Sequence, residues 1–277
     1  MKKTLLLFIG LSILISCSND DSDVSAVPNN SEFTPPNFVG TVGYLKKMKW
    51  KLGDGTPLCT WFYNYNGNKL DKKVSYLPNT NESYLVYVYQ YESNNIKKII
   101  TYNGASTSNV MLERNYLYDS NSRIIEESFS YPNNVSQNYK YIYDYTNISL
   151  NDVGFKVYQN DASNNYSLTS NKIIRINSND EVLSIRESTS NINELTVVYE
   201  YDDKISPMLN IQGFSKNYSN FEPGESKFNN VTAQINPSNN SNTITINYEY
   251  NTSNKPKKAT YINSEGPYLI VDFEYYQ

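Results

Sequence analysis

The side chains of this chain that could do chemistry are carboxylates, two tryptophans and two cysteines; histidine is absent from all 277 residues. Without an imidazole there is no Ser-His-Asp or Cys-His relay. Zinc sites built on histidine or on paired cysteines are excluded with it. Glycoside hydrolysis remains open, because it needs only two carboxylates flanking the scissile bond. Asp119, Glu126, Asp144, Asp202 and Asp203 are the available acids. Each lies in a polar turn or on a charged face, the ordinary place for a solvated acid. The sequence therefore predicts a protein that is not an enzyme, with no catalytic residues, no metal and no cofactor. Trp50 and Trp61 read either as stacking platforms for a sugar ring or, more commonly, as caps on a sheet core. Cys59 reads as a buried, inert thiol.

The elements that must position these groups announce themselves by repetition. Tyr116-Leu117-Tyr118-Asp119-Ser120-Asn121-Ser122-Arg123-Ile124-Ile125 is a strand, a polar turn and a second strand. Alternation puts both tyrosine rings on one face, and Asp, Asn and Ser supply the turn. Copies start at Tyr63, Tyr89, Tyr116, Tyr141, Ile174, Tyr199, Tyr248 and Phe273, separated by 26, 27, 25, 33, 25, 49 and 25 residues. The double-length gap predicts an eroded copy near residues 221–234. A period near 25 accommodates two strands and two turns. Tyr145 to Ser170 reads as the least regular stretch, with a long exposed turn over 160–165. Pro207 ends pairing after Tyr201 and predicts an excursion there, with a second irregular piece from Phe214 to Phe228.

The phrase Tyr116-Leu117-Tyr118-Asp119…Arg123-Ile124 resembles the YD (RHS-type) repeat, and the chain from about residue 60 onward resembles Tyr-rich repeat lipoproteins of Bacteroidetes. Ser122 stands where the usual phrase has glycine. The resemblance implies a cell-surface scaffold of β-hairpins. About eight copies are too few for the closed shell of long RHS proteins.

The N-terminus supplies an address. Lys2 and Lys3 precede an apolar run from Leu5 to Ile15, too short for a membrane-spanning helix of about 20 residues. Leu14-Ile15-Ser16-Cys17 resembles a lipobox, which implies that residues 1–16 are removed and Cys17 is lipidated. Ser18, Asn19, Asp20 and Asp21 open an acidic run that resembles the export signal for the outer face of the outer membrane; a periplasm-facing anchor is the alternative. Residues 17–40, with Pro28, Pro35 and Pro36, read as a tether, and residues 41–277 as one Tyr-rich domain. Removing Lys2 and Lys3 leaves 22 basic against 28 acidic side chains, so nucleic acid is not an expected partner.

Twenty-seven tyrosines and scarce alanine favour strands over helices. About sixteen strands at roughly 4.8 Å spacing would make a sheet nearly 75 Å wide, which must curl, split or close. The expectation is all-β: an antiparallel meander of repeated hairpins in a strongly curved open sheet, a half-barrel or short β-solenoid. An outer-membrane barrel shares the alternation, but the many Lys and Glu on strands oppose it. The expected function is a non-enzymatic surface module that binds a glycan or a protein partner. A structural subunit of an outer-membrane complex is the alternative, and a carboxylate-dependent glycosidase the weaker one. The membrane is expected to be met only through the lipid.

Overall fold

The computed structural model describes residues 38–277 apart from 79, 81, 105–107, 162–164, 189–192, 215–217, 219–222 and 240–241. Cys17, Ser18, Asn19, Asp20 and Asp21, with the leader and most of the tether, lie outside the described residues.

Sixteen antiparallel strands run β1 (Leu45–Leu52), β2 (Pro57–Asn66), β3 (Lys69–Tyr76), β4 (Ser83–Glu92), β5 (Asn95–Asn103), β6 (Val110–Tyr118), β7 (Ile124–Ser130) and β8 (Tyr139–Asp144), then β9 (Asp152–Asn160), β10 (Tyr166–Ile176), β11 (Val182–Ser188), β12 (Asn193–Tyr201), β13 (Val231–Ile235), β14 (Ile244–Tyr250), β15 (Pro256–Asn263) and β16 (Gly266–Tyr275). Each pairs with its neighbours in sequence, and β1 pairs with β16 from Leu45↔Tyr275 to Leu52↔Leu269. The sheet is thus a closed barrel, which corrects the expected open half-barrel or solenoid. Closure removes two bare edges of backbone donors and acceptors. The stretch expected to be least regular holds β9 and β10, because Val153, Phe155 and Val157 alternate inward along β9. The eroded copy is β13, five residues long.

The repeat has a structural logic centred on one tyrosine hydroxyl. In or just after seven of the eight even strands it donates to the carbonyl of a residue at or beside the start of the preceding odd strand: Tyr65 to Leu45, Tyr91 to Leu70, Tyr118 to Ile96, Tyr145 to Ile124, Tyr201 to Val182, Tyr248 to Val231 and Tyr275 to Pro256, all at 2.7–3.1 Å. These carbonyls lie at strand starts, where ladder partners run out and a buried acceptor would otherwise be costly. The degenerate copy on β10 has Ile176 at this position. There Arg175 pairs with Asp152, its Nη2 at 2.8 Å.

Turn chemistry follows the same economy. Asp119, Asn177 and Asn251 begin three five-residue loops, each accepting from backbone N–H groups two and four residues on. The fourth loop residue is left-handed: Ser122 at φ 59°, Asp180 at 60° and Asn254 at 57°. Ser122 occupies the glycine position of the YD phrase in the conformation that glycine would adopt without steric cost.

Candidate functional site

Pleat alternation turns the Tyr-x-Tyr rows inward and the charged rows outward. Side chains from across the barrel join one buried cluster, including Met48, Tyr63, Ile99, Tyr116, Tyr143, Val182 and Val271. The lumen is completed by the described residues of the connection between β12 and β13 (202–214, 218 and 223–230), which pack at the turn end of the barrel. Met208, Ile211, Phe214 and Tyr218 from this segment are 2–6% exposed. It is held by backbone bonds from Gln212 to Asn68 (2.9 Å) and from Ile205 to Asn254 (3.2 Å), and by the Asn229 N–H donating to Glu181 Oε1 at 2.7 Å. Ser206 Oγ donates to the carbonyls of Ser226 and Lys227, closing the segment on itself. At Gly224 (φ +81°) an added Cβ would lie 2.8 Å from Phe273 and 3.0 Å from Met48 Sδ, so the backbone approaches these two side chains this closely only because it carries no side chain there.

Glu225 follows at once, 1% exposed, accepting from Lys73 Nζ and the Tyr63 hydroxyl, both at 2.9 Å. Lys227 is 8% exposed, 4.2 Å from the centre of the Tyr218 ring, with no hydrogen-bond partner for Nζ among the described residues. Burial pushes its ammonium down to about 7, against the opposing pull of Asp180 and Glu181.

The outer wall has the opposite character. Glu249, Lys258, Asp272 and Lys49 are successive register partners across β14, β15, β16 and β1. Lys51 pairs with Asp272 at 2.6 Å, Lys258 with Glu249 at 3.3 Å and Lys98 with Glu113 at 2.8 Å. Phe38 and Val39, expected in the tether, lie on this wall: Phe38 meets the Phe62 ring at 6.1 Å and the Val39 N–H donates to Asn64 Oδ1.

One seam of the wall is incomplete. β13 and β14 pair only at Ala233↔Thr245 and Gln234↔Ile244. Beyond these pairs, Ile246 to Tyr250 lack a ladder partner on the β13 side, although they remain paired with β15. A cleft of about 610 Å³ occupies the split, lined by Glu200 of β12, Thr232 and Ala233 of β13, and Thr245, Asn247 and Tyr248 of β14. Tyr248 and Tyr250, stacked at 5.8 Å, close the lumen side. The Tyr248 hydroxyl reaches the Val231 carbonyl across the gap, and Tyr250 donates to Asp202. Thr245, Asn247 and Glu200 are exposed on the outer rim. This is the candidate binding site.

Of these lining residues the sequence names only Tyr248, as the start of a repeat copy, and none as a site residue. The available signal was the double-length repeat gap, which marks where β13 is cut short. The residues that were singled out lie elsewhere. Trp50 and Trp61, 3% and 5% exposed, pack on each other at 6.2 Å, and Trp61 on Tyr87 at 5.6 Å; both belong to the core and offer no ring face to solvent. Cys59 is half-buried opposite Trp50. Asp119 takes the backbone N–H and guanidinium of Arg123. Thr146 hydrogen bonds hold the Asp144 carboxyl below its usual range. Glu126 faces Lys140 at 3.9 Å, Asp203 pairs with Lys204 at 3.0 Å, and Asp202 binds Asn230 and Tyr250. Asp119, Glu126 and Asp144 lie in other turns and faces, and of the adjacent Asp202 and Asp203 only Asp202 touches a cleft residue, Tyr250.

No protein-family model and no curated protein matches the chain. Among solved structures, a porin-like protein from Bacteroides uniformis aligns over 85% of this chain and 98% of its own, with TM-score 0.47 and 12% identity. A porin-like protein from Bacteroides vulgatus aligns over 84% and 98%, with TM-score 0.37 and 11% identity.

Proposed function

We propose that this chain is a lipid-anchored, non-enzymatic binding module of the outer membrane, displayed on the cell exterior by Cys17, with a barrel that neither spans the bilayer nor conducts. The carrying observation is the reversal of polarity across the wall. A lipid-facing barrel wall is apolar with a polar lumen, and one lysine or arginine at the bilayer midplane costs about 2–4 kcal/mol. Here Lys49, Lys51, Lys98 and Lys258 lie outward with their acidic partners, while the inside is packed mostly with tyrosines and aliphatic side chains, its few charges buried and including the Lys73–Glu225 pair. The side chains packed inside the barrel support a barrel that does not conduct. The YD-like phrase supports a scaffold role: its tyrosines and turn acids are occupied in holding strands together.

The test uses residues 38–277 without the lipid. In flotation with phosphatidylethanolamine and phosphatidylglycerol vesicles the barrel is expected to stay at the bottom of the gradient, and planar bilayers to show no conductance steps. The full-length chain expressed in a Bacteroides host is expected to be membrane-bound and sensitive to added protease, and the Cys17→Ser chain to be released. Flotation of the lipid-free barrel, or channel steps, would overturn the reading.

A further inference from the structure

The split between β13 and β14 leaves Ile246 to Tyr250 without a ladder partner on one side among the described residues. We infer that an extended peptide segment carrying lysine or arginine docks there by adding a strand beside β14, the inference resting on the binding-module reading above. Three observations converge on it.

The first is backbone supply. Ile246 to Tyr250 keep strand geometry and their β15 partners, yet face no strand on the other side. In an antiparallel ladder alternate residues direct N–H and C=O to opposite neighbours, so this stretch presents its β13-side groups to the cleft. An extended peptide satisfies such groups by strand addition, with main-chain bonds giving affinity and side-chain contacts giving selectivity.

The second is shape. The cleft of about 610 Å³ runs between two strands, with Tyr248 forming its floor and Thr245 and Asn247 its outer rim. The tyrosines are poor sugar platforms, because Tyr248 and Tyr250 stack on each other at 29° and turn a ring face toward one another. A sugar would also leave the free strand edge unanswered.

The third is charge. β12, β13 and β14 contain no lysine or arginine, while Glu194, Glu200 and Glu249 lie along them. Glu249 is engaged by Lys258 and Glu194 by Ser238. Glu200 is exposed at the cleft itself. With no base on these three strands, the exposed Glu200 carboxylate at the cleft selects a cationic segment.

The probe is an acetylated, amidated hexapeptide of alternating lysine and valine, titrated to millimolar concentration into ¹⁵N-labelled residues 38–277. Amide shifts are expected at 232–233 and 246–250, with slowed hydrogen exchange over 246–250. The Glu–Val hexapeptide is expected not to bind. Glu200→Gln is expected to weaken the Lys–Val peptide about two- to fivefold, the range of an exposed ion pair. N-methylation of alternate peptide residues, on one set or the other, is expected to abolish binding. Binding unaffected by either methylated set, shifts away from the cleft, no binding at all, or equivalent shifts from maltohexaose without peptide binding would each overturn the inference. A barrel that stays off vesicles but ignores the peptide sinks the inference alone; one that enters vesicles sinks the module reading first.

Discussion

The repeat wall and the 202–230 segment solve the same problem by opposite means. In the wall, outside the β1–β16 seam, partners are close in sequence: a tyrosine hydroxyl bonds a carbonyl 17–22 residues earlier, and a turn acid caps N–H groups two and four residues on. In the segment the contacts that tie it to the barrel are not local. Glu225 meets Lys73 across 152 residues and Tyr63 across 162, and Gln212 meets Asn68. The wall is redundant, with seven copies of one hydroxyl contact, so losing one leaves six. The segment is singular, and its charges are buried where an unpaired partner is expensive.

That contrast can be broken at its most expensive point. Glu225→Ala leaves Lys73 buried without its carboxylate and is expected to destabilise the barrel by about 3–5 kcal/mol in urea melts. Replacing both partners, Lys73→Met with Glu225→Leu, is expected to recover most of the loss. Equal loss in single and double variants would show that packing rather than the ion pair sets the cost.

Lys227 gives the next effect and a pH signature. Its folded pKa of about 7 lies below the ordinary 10.5, so between these values the unfolded chain binds the extra proton. Stability is therefore expected to rise with pH from about 7 to 9 with a contribution of up to roughly 1.4 kcal/mol per unit, and to lose that slope below 7. Above about pH 10 the tyrosines act in reverse, since burial raises the pKa of Tyr118 and Tyr201 in the folded state. Lys227→Met is expected to raise the melting temperature at pH 7 and flatten the 7–9 window. An unchanged slope would place the titrating group elsewhere.

The wall is expected to yield less per change. Tyr118→Phe removes one hydroxyl donor to Ile96 and is expected to cost about 1 kcal/mol, with faster exchange confined to the ends of β5 and β6. A global loss near that of Glu225→Ala would erase the distinction between redundant and singular contacts. The smallest effect is a gain: Ser122→Gly relieves a left-handed φ of 59° and is expected to add about 0.5–1 kcal/mol. The opposite sign would mean that the Ser122 side chain is needed in the turn.

Much of the wall is legible in the sequence because its rules have short reach. Tyr116 and Tyr118 share a face by alternation, Asp119 announces a turn, and a spacing near 25 residues counts strands in pairs, leading to about sixteen. Pro207 and the gap of 49 residues mark where the pattern stops. What they do not carry is direction. Met208, Ile211 and Phe214 look like any irregular loop until the barrel end they cover exists. Trp50 and Trp61 are ambiguous for the same reason, since a ring's exposure depends on what lies across the lumen. The cleft residues were illegible because Thr232, Thr245 and Asn247 carry no chemical signal of their own; the site is an absence of pairing.

By itself the sequence determined the hairpin unit, the shared face of each Tyr-x-Tyr pair, the turn chemistry and the charged outward faces, because each depends on neighbours within one or two strands; which tyrosines are buried was decided by the closed barrel. Only the tertiary structure decided that β1 meets β16, that Gly224 comes up against Phe273 and Met48, and that β13 parts from β14 after two pairs. Closure depends on twist and stagger accumulated over sixteen strands, and a buried ion pair depends on two residues that the chain brings together only after that closure. No local pattern encodes either.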